Sequence, residues 1–94
     1  MSQSQINHSL PFETVGLFPR EREALAFIIN FKATRKQFPS FEDIAEGLDL
    51  KSRSGAQYFV NKLLLKGWFL KQPKATRKSF RYSKKLTDLI DAYF

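Results

Sequence analysis

The stretch Ser52-Arg53-Ser54-Gly55-Ala56-Gln57-Tyr58-Phe59-Val60-Asn61 gathers hydrogen-bonding side chains in a segment of helical periodicity. Ser54, Gln57, Tyr58 and Asn61 recur at i, i+3, i+4 and i+7, which puts them on one face of a helix. Ala56, Val60, Leu63 and Leu64 keep the same period on the opposite side and predict a buried stripe. Hydroxyl, carboxamide and phenol groups both donate and accept hydrogen bonds, but no nucleophile with an adjacent base appears among them. The chemistry open to this face is recognition, with a solvated polar surface as the bland alternative. Its first turn, Ser-Arg-Ser-Gly, is small and weakly helical, which stability alone would not select.

Charge indicates what would be recognised. Before Lys51 there are five Lys/Arg against seven Asp/Glu, whereas Lys51 to Lys85 holds eleven Lys/Arg and no acid. The last nine residues add two acids, and the formal net charge is +7. A cationic field confined to one continuous half of the chain is the electrostatic footprint of a polyanion binder.

Other classes of function find little to build on. With no Cys there is no disulfide framework, thiolate zinc site or cysteine nucleophile. His8 has no second ligand-type residue beside it, and Glu42-Asp43 reads as helix-start chemistry rather than an acid/base pair. There is no Gly-rich phosphate loop. We therefore expect no enzyme, no cofactor and no metal. The start lacks a basic region followed by an apolar run, and no stretch approaches the ~20 apolar residues that span a bilayer. A cytoplasmic protein without membrane contact is expected.

The 94 residues, 43% of them hydrophobic, suffice for one core. Residues 1–16 are polar and aperiodic, so a flexible arm is expected there, followed by a domain over 17–83 and a C-terminal helix over 84–94. The first helix begins at Pro19 and runs to about Lys32, with Ala24, Leu25, Ile28 and Phe31 on one stripe. Ser40, with Asp43 three residues on, predicts a capped short helix over 41–46 that Gly47 ends. Leu48 to Lys51 must then be a tight turn into the third helix, which Ser52 can cap and Gly67 can end in the left-handed conformation. From Trp68 the period becomes two: Trp68 and Leu70 alternate with Phe69 and Lys71, and Phe80 and Tyr82 share a face across a basic tip. The fold class is mainly α with a small β-hairpin, in the order of a winged helix-turn-helix domain with an additional C-terminal helix.

From about Leu17 to Lys78 the chain also resembles the N-terminal DNA-binding domain of the LexA repressor family. The residues that carry the resemblance are REREALAFI, FPSFEDIAEGLDLKS, GAQYFVNKLLLKG and KATRKSF. The resemblance implies a third helix that enters the major groove of double-stranded DNA. By position, Ser52, Ser54, Gly55, Gln57 and Tyr58 would then read bases. A small first turn would let the positive helix end approach closely, and Gln57 would pair bidentately with adenine. The same resemblance places Lys74, Thr76, Arg77 and Lys78 of the wing on a flanking backbone or minor groove. Lys51, Arg53, Asn61 and Arg81 join them as backbone contacts. The implied function is a small transcriptional regulator, most simply a repressor, of a bacterium, phage or mobile element. Ser54, Gln57 and Tyr58 stand where the family presents acidic or Asn side chains, so its operator does not transfer. No counterpart of its Ser/Lys self-cleaving apparatus is present, so induction by autoproteolysis is not expected.

Two questions stay open at this level. Phe59 either packs under the second helix or faces a partner, and a winged fold can serve as a protein-interaction module, such as an antirepressor or adaptor. The stripe Leu86, Leu89, Ile90, Tyr93 and Phe94 either closes the monomer's own core or forms a homodimer surface.

Overall fold

The computed structural model describes residues 10–71 and 80–94. Four helices and one two-stranded antiparallel sheet follow in the order α1 (Pro19–Arg35), α2 (Phe41–Gly47), α3 (Arg53–Leu65), β1 (Phe69–Lys71), β2 (Phe80–Tyr82) and α4 (Lys84–Tyr93). No helix among the described residues is long and apolar enough to cross a membrane.

Helix α1 starts at Pro19, whose missing N–H costs nothing in a first turn. The Glu21 carboxylate accepts the Phe18 N–H at 3.0 Å, satisfying one of the orphan donors there. Ala24, Leu25, Ala26, Ile28 and Ile29 are buried, whereas Phe31 is only half-buried, its ring against Phe27 and Arg35. The helix extends to Arg35, three residues past the expected end, because Ala33, Thr34 and Arg35 contain no breaker; Lys36 stops it at φ 65°.

Ser40 and Asp43 form the expected capping box, with Asp43 N–H on Ser40 Oγ and Ser40 N–H on Asp43 Oδ2, both at 3.0 Å. Gly47 is the last residue of α2, and its role is one of space: a Cβ there would overlap the Phe27 ring. The left-handed residue is Asp49, at φ 58°. Leu50 N–H reaches Ala45 O at 2.7 Å and Asp49 N–H reaches Glu46 O at 3.3 Å, so a Schellman closure turns the chain sharply toward α3.

Helix α3 buries Ala56, Val60 and Leu63, with Leu64 half-buried beside them. Gly67 closes it as expected, at φ 83°, with Trp68 N–H on Leu63 O at 2.9 Å.

That closure changes the hairpin. Trp68 still belongs to the turn, so Trp68 and Phe69 are both buried and Leu70 is exposed; the expected pairing of Trp68 with Leu70 on one strand face is therefore corrected. Phe69 pairs with Tyr82, Leu70 with Arg81 and Lys71 with Phe80. Phe80 and Tyr82 do share a face, and both meet Phe38, at ring-centroid distances of 5.9 and 6.0 Å.

The expected arm is corrected in its second half. Leu10, Phe12 and Thr14 are buried, and the Arg22 guanidinium holds that strap by donating to the carbonyls of Leu10 and Phe12 at 3.3 and 3.0 Å. Phe12 also lies against the end of α4, 5.7 Å from Tyr93 and 6.2 Å from Phe94 between ring centroids. Residues 1–9 of the arm lie outside the described residues.

Candidate nucleic-acid interface

The α2–turn–α3 unit presents one outward face. Ser54, Gln57, Tyr58 and Asn61 are all exposed along it, opposite the buried stripe that fixes the helix to α1 and α2. Ser52 occupies the N-cap position, yet its hydroxyl accepts no capping bond; Gly55 N–H turns instead to Ser52 O at 3.2 Å. The first turn contains no acid, so the partial positive charge of the helix start is not neutralised within it.

Gly55 is half-buried, and a Cβ there would meet Leu50 Cδ1 at 3.4 Å. A side chain at this position would face the turn rather than the outward face. Gly55 therefore contributes only low backbone relief.

Arg53 is exposed but engaged: its Nε lies 3.2 Å from Glu42 Oε2, and its guanidinium stands 5.7 Å from the Phe41 ring centroid. An exposed pair of this kind is worth little in stability and is readily exchanged for another anion. Lys51 lies beside it, also exposed. Arg81 is exposed on the outer face of the hairpin, across from Leu70. The expected wing contacts Lys74, Thr76, Arg77 and Lys78 lie outside the described residues.

Two residues of this face escaped the sequence reading. Lys62 places its ammonium 5.5 Å from the Tyr58 ring centroid, the i+4 neighbour that steadies the phenol, and that spacing was available in the sequence. Leu65, 81% exposed, continues the line of Tyr58 one heptad on, a position that an apolar pattern assigns inward. Phe59 resolves toward packing: it is half-buried against the core, edge-on to Tyr58 at 5.3 Å.

The C-terminal stripe divides. Leu86 is fully buried, and Leu89 and Ile90 are half-buried against the core, so α4 folds back on its own domain. Leu86 is thereby removed from any dimer surface, because a residue with no accessible area cannot touch a partner. Tyr93 and Phe94 stay more than half exposed. Ser83 starts this helix by accepting the Leu86 N–H at 3.4 Å.

No group of three or more His, Cys, Asp or Glu able to hold a metal occurs among the described residues. No family model matches the chain, and no curated protein or solved structure matches it either. The functional reading accordingly rests on the residues of this chain.

Proposed function

We propose that this chain is a sequence-specific double-stranded DNA-binding protein of winged helix-turn-helix plan, a small cytoplasmic regulator of transcription that acts as a repressor. The observation that carries the reading is the outward face of α3. Four hydrogen-bonding side chains stand exposed on a helix whose first turn is free of acids and left uncapped by a side chain. A helix start of that kind suits a phosphate oxygen, and on this reading Gln57 and Tyr58, one turn on, contact base edges. Lys51, Arg53 and Arg81, and the sequence-assigned cations of the wing, supply phosphate contacts around it.

Salt dependence is the test. With about five phosphates neutralised, log K falls against log[salt] with a slope of roughly −4 to −5 per protomer, and fragments selected from a genomic pool share a motif. A flat salt response overturns the reading. One observation favours a second reading, a protein-interaction module: Val15, Phe18 and Leu65 are all at least two-thirds exposed near Lys66, whose ammonium reaches Gly16 O at 2.9 Å and stands 4.7 Å from the Phe18 ring centroid. A flat response would shift the reading to that surface.

A further inference from the structure

Away from the face of α3, a cavity of about 360 Å³ opens between α1, β2 and α4. Ile29, Lys32 and Ala33 of α1 line it, together with Lys36, the left-handed residue that ends that helix. Tyr82 lines it from β2, and Ile90 and Phe94 from α4. Ala33 matters by being small, because any longer side chain at that exposed position would intrude on the space.

The charge of the cavity is one-sided. No Asp or Glu side chain lines it, and among the described residues neither Lys32 nor Lys36 has a carboxylate within ion-pair distance. The Lys32 ammonium instead stands 5.5 Å from the centroid of the Tyr82 ring. Burial pushes the Tyr82 phenol up to about 12, so that wall carries no negative charge near neutrality. An apolar recess with two lysines that make no ion pair, and with no Asp or Glu in its lining, is complementary to a molecule that joins a flat or branched hydrocarbon body to a single acid group.

We propose that this cavity is a binding site for a small aromatic or aliphatic carboxylate, whose hydrocarbon body rests on Ile29, Ala33, Ile90 and Phe94 and whose acid group is met by Lys32 and Lys36. The site is separate from the outward face of α3 and does not depend on the DNA-binding reading.

The test uses naphthylacetate and its neutral counterpart naphthylethanol, titrated separately by calorimetry and by amide chemical shift. The acid binds about fivefold or more tighter than the alcohol, which corresponds to one partly exposed charge pair, and the shifts cluster in residues 29–36 and 90–94. Lys32→Gln with Lys36→Gln abolishes the preference for the acid while leaving the alcohol's affinity in place. Ala33→Phe, at an exposed position that does not disturb the core, removes binding of both while circular dichroism melts stay unchanged. Equal binding of acid and alcohol, an acid preference that survives the double Lys substitution, or undiminished binding to Ala33→Phe overturns the proposal.

Discussion

The Lys66 ammonium lies 2.6 Å from Oε1 of Glu21, joining the end of α3 to the first turn of α1. Glu21 is nearly fully buried, while Lys66 keeps about a quarter of its side chain in solvent. The same ammonium donates to Gly16 O, so one cation fastens two helices and the turn that precedes α1. Burial pushes the Glu21 carboxyl up, but the bonds from Lys66 and from Phe18 N–H, with the charges of Lys66 and Lys62, more than offset this and leave it below its ordinary value.

Stability should therefore depend on this pair in a defined direction of pH. A lowered folded value means that the contribution is fully present above the ordinary carboxyl value of 4.5 and is lost as pH falls through the folded one. Glu21→Gln should cost ~1 to 3 kcal/mol at neutral pH, tempered by the partial exposure of Lys66, and the gap to the unmodified protein should close in acid. Lys66→Met should cost at least as much, because it leaves a buried carboxylate unpaired. Urea melts at neutral and acid pH check both; a gap that does not change with pH would show that the charge of Glu21 is immaterial.

Gly47→Ala should be destabilising although alanine is the better helix former. The added Cβ overlaps the Phe27 ring, and overpacking of this kind costs ~1 to 3 kcal/mol against a propensity gain of ~1 kcal/mol. Phe27→Leu should relieve the clash, so the double variant should be more stable than the sum of the two single changes indicates. A double-mutant cycle from denaturant melts measures the coupling.

On DNA, Gln57→Ala should cost ~1 to 3 kcal/mol on the preferred site and relax preference at one base position. Glu42→Gln should act in the opposite sense. It releases Arg53 from its pair at 3.2 Å, so affinity for all sequences should rise and the salt slope should steepen by up to ~1. Binding isotherms at several salt concentrations separate the two, and unchanged behaviour of both variants would remove α3 from the interface.

For α4, Leu86→Ala should cost ~2 to 5 kcal/mol, as the loss of a fully buried side chain does. Phe94→Ser, at a residue 64% exposed, should cost under ~1 kcal/mol. If Tyr93 and Phe94 instead joined two copies, Phe94→Ser would lower the sedimenting mass and the affinity for a palindromic site whose half-sites lie ~34 Å apart. An unmodified protein that sediments as a monomer, free and on DNA, leaves α4 as core closure alone.

The helices were legible because their signals are local. Ala56, Val60 and Leu63 repeat with the helical period, Ser40 and Asp43 sit at capping distance, and Gly67 marks a left-handed stop. What escaped has no period. Leu10 and Phe12 reach the core through irregular backbone held by Arg22, an interaction across ten and twelve residues that no local pattern announces. Trp68 reads as a strand residue in the sequence because alternation cannot tell the last residue of a turn from the first of a strand. In the candidate interface the exposed polar face of α3 was readable from spacing alone. The Arg53–Glu42 pair and the inward turn of Gly55 were not, because both depend on how α2 meets α3.

The burial of Trp68 has an optical consequence. It is the chain's single tryptophan, 3% exposed, with the Lys85 ammonium 4.2 Å from its ring centroid. Its backbone N–H donates to Leu63 O at the end of α3, and its backbone carbonyl accepts the Ser83 N–H that leads into α4. An indole shut away from water emits to the blue, and it shifts to the red once any of these neighbours departs. Because this fluorophore sits behind α3, a ligand on the outward face leaves it dry. The emission colour of one native side chain thus registers, without a dye or a tag, whether the third helix, the hairpin and the last helix are still joined.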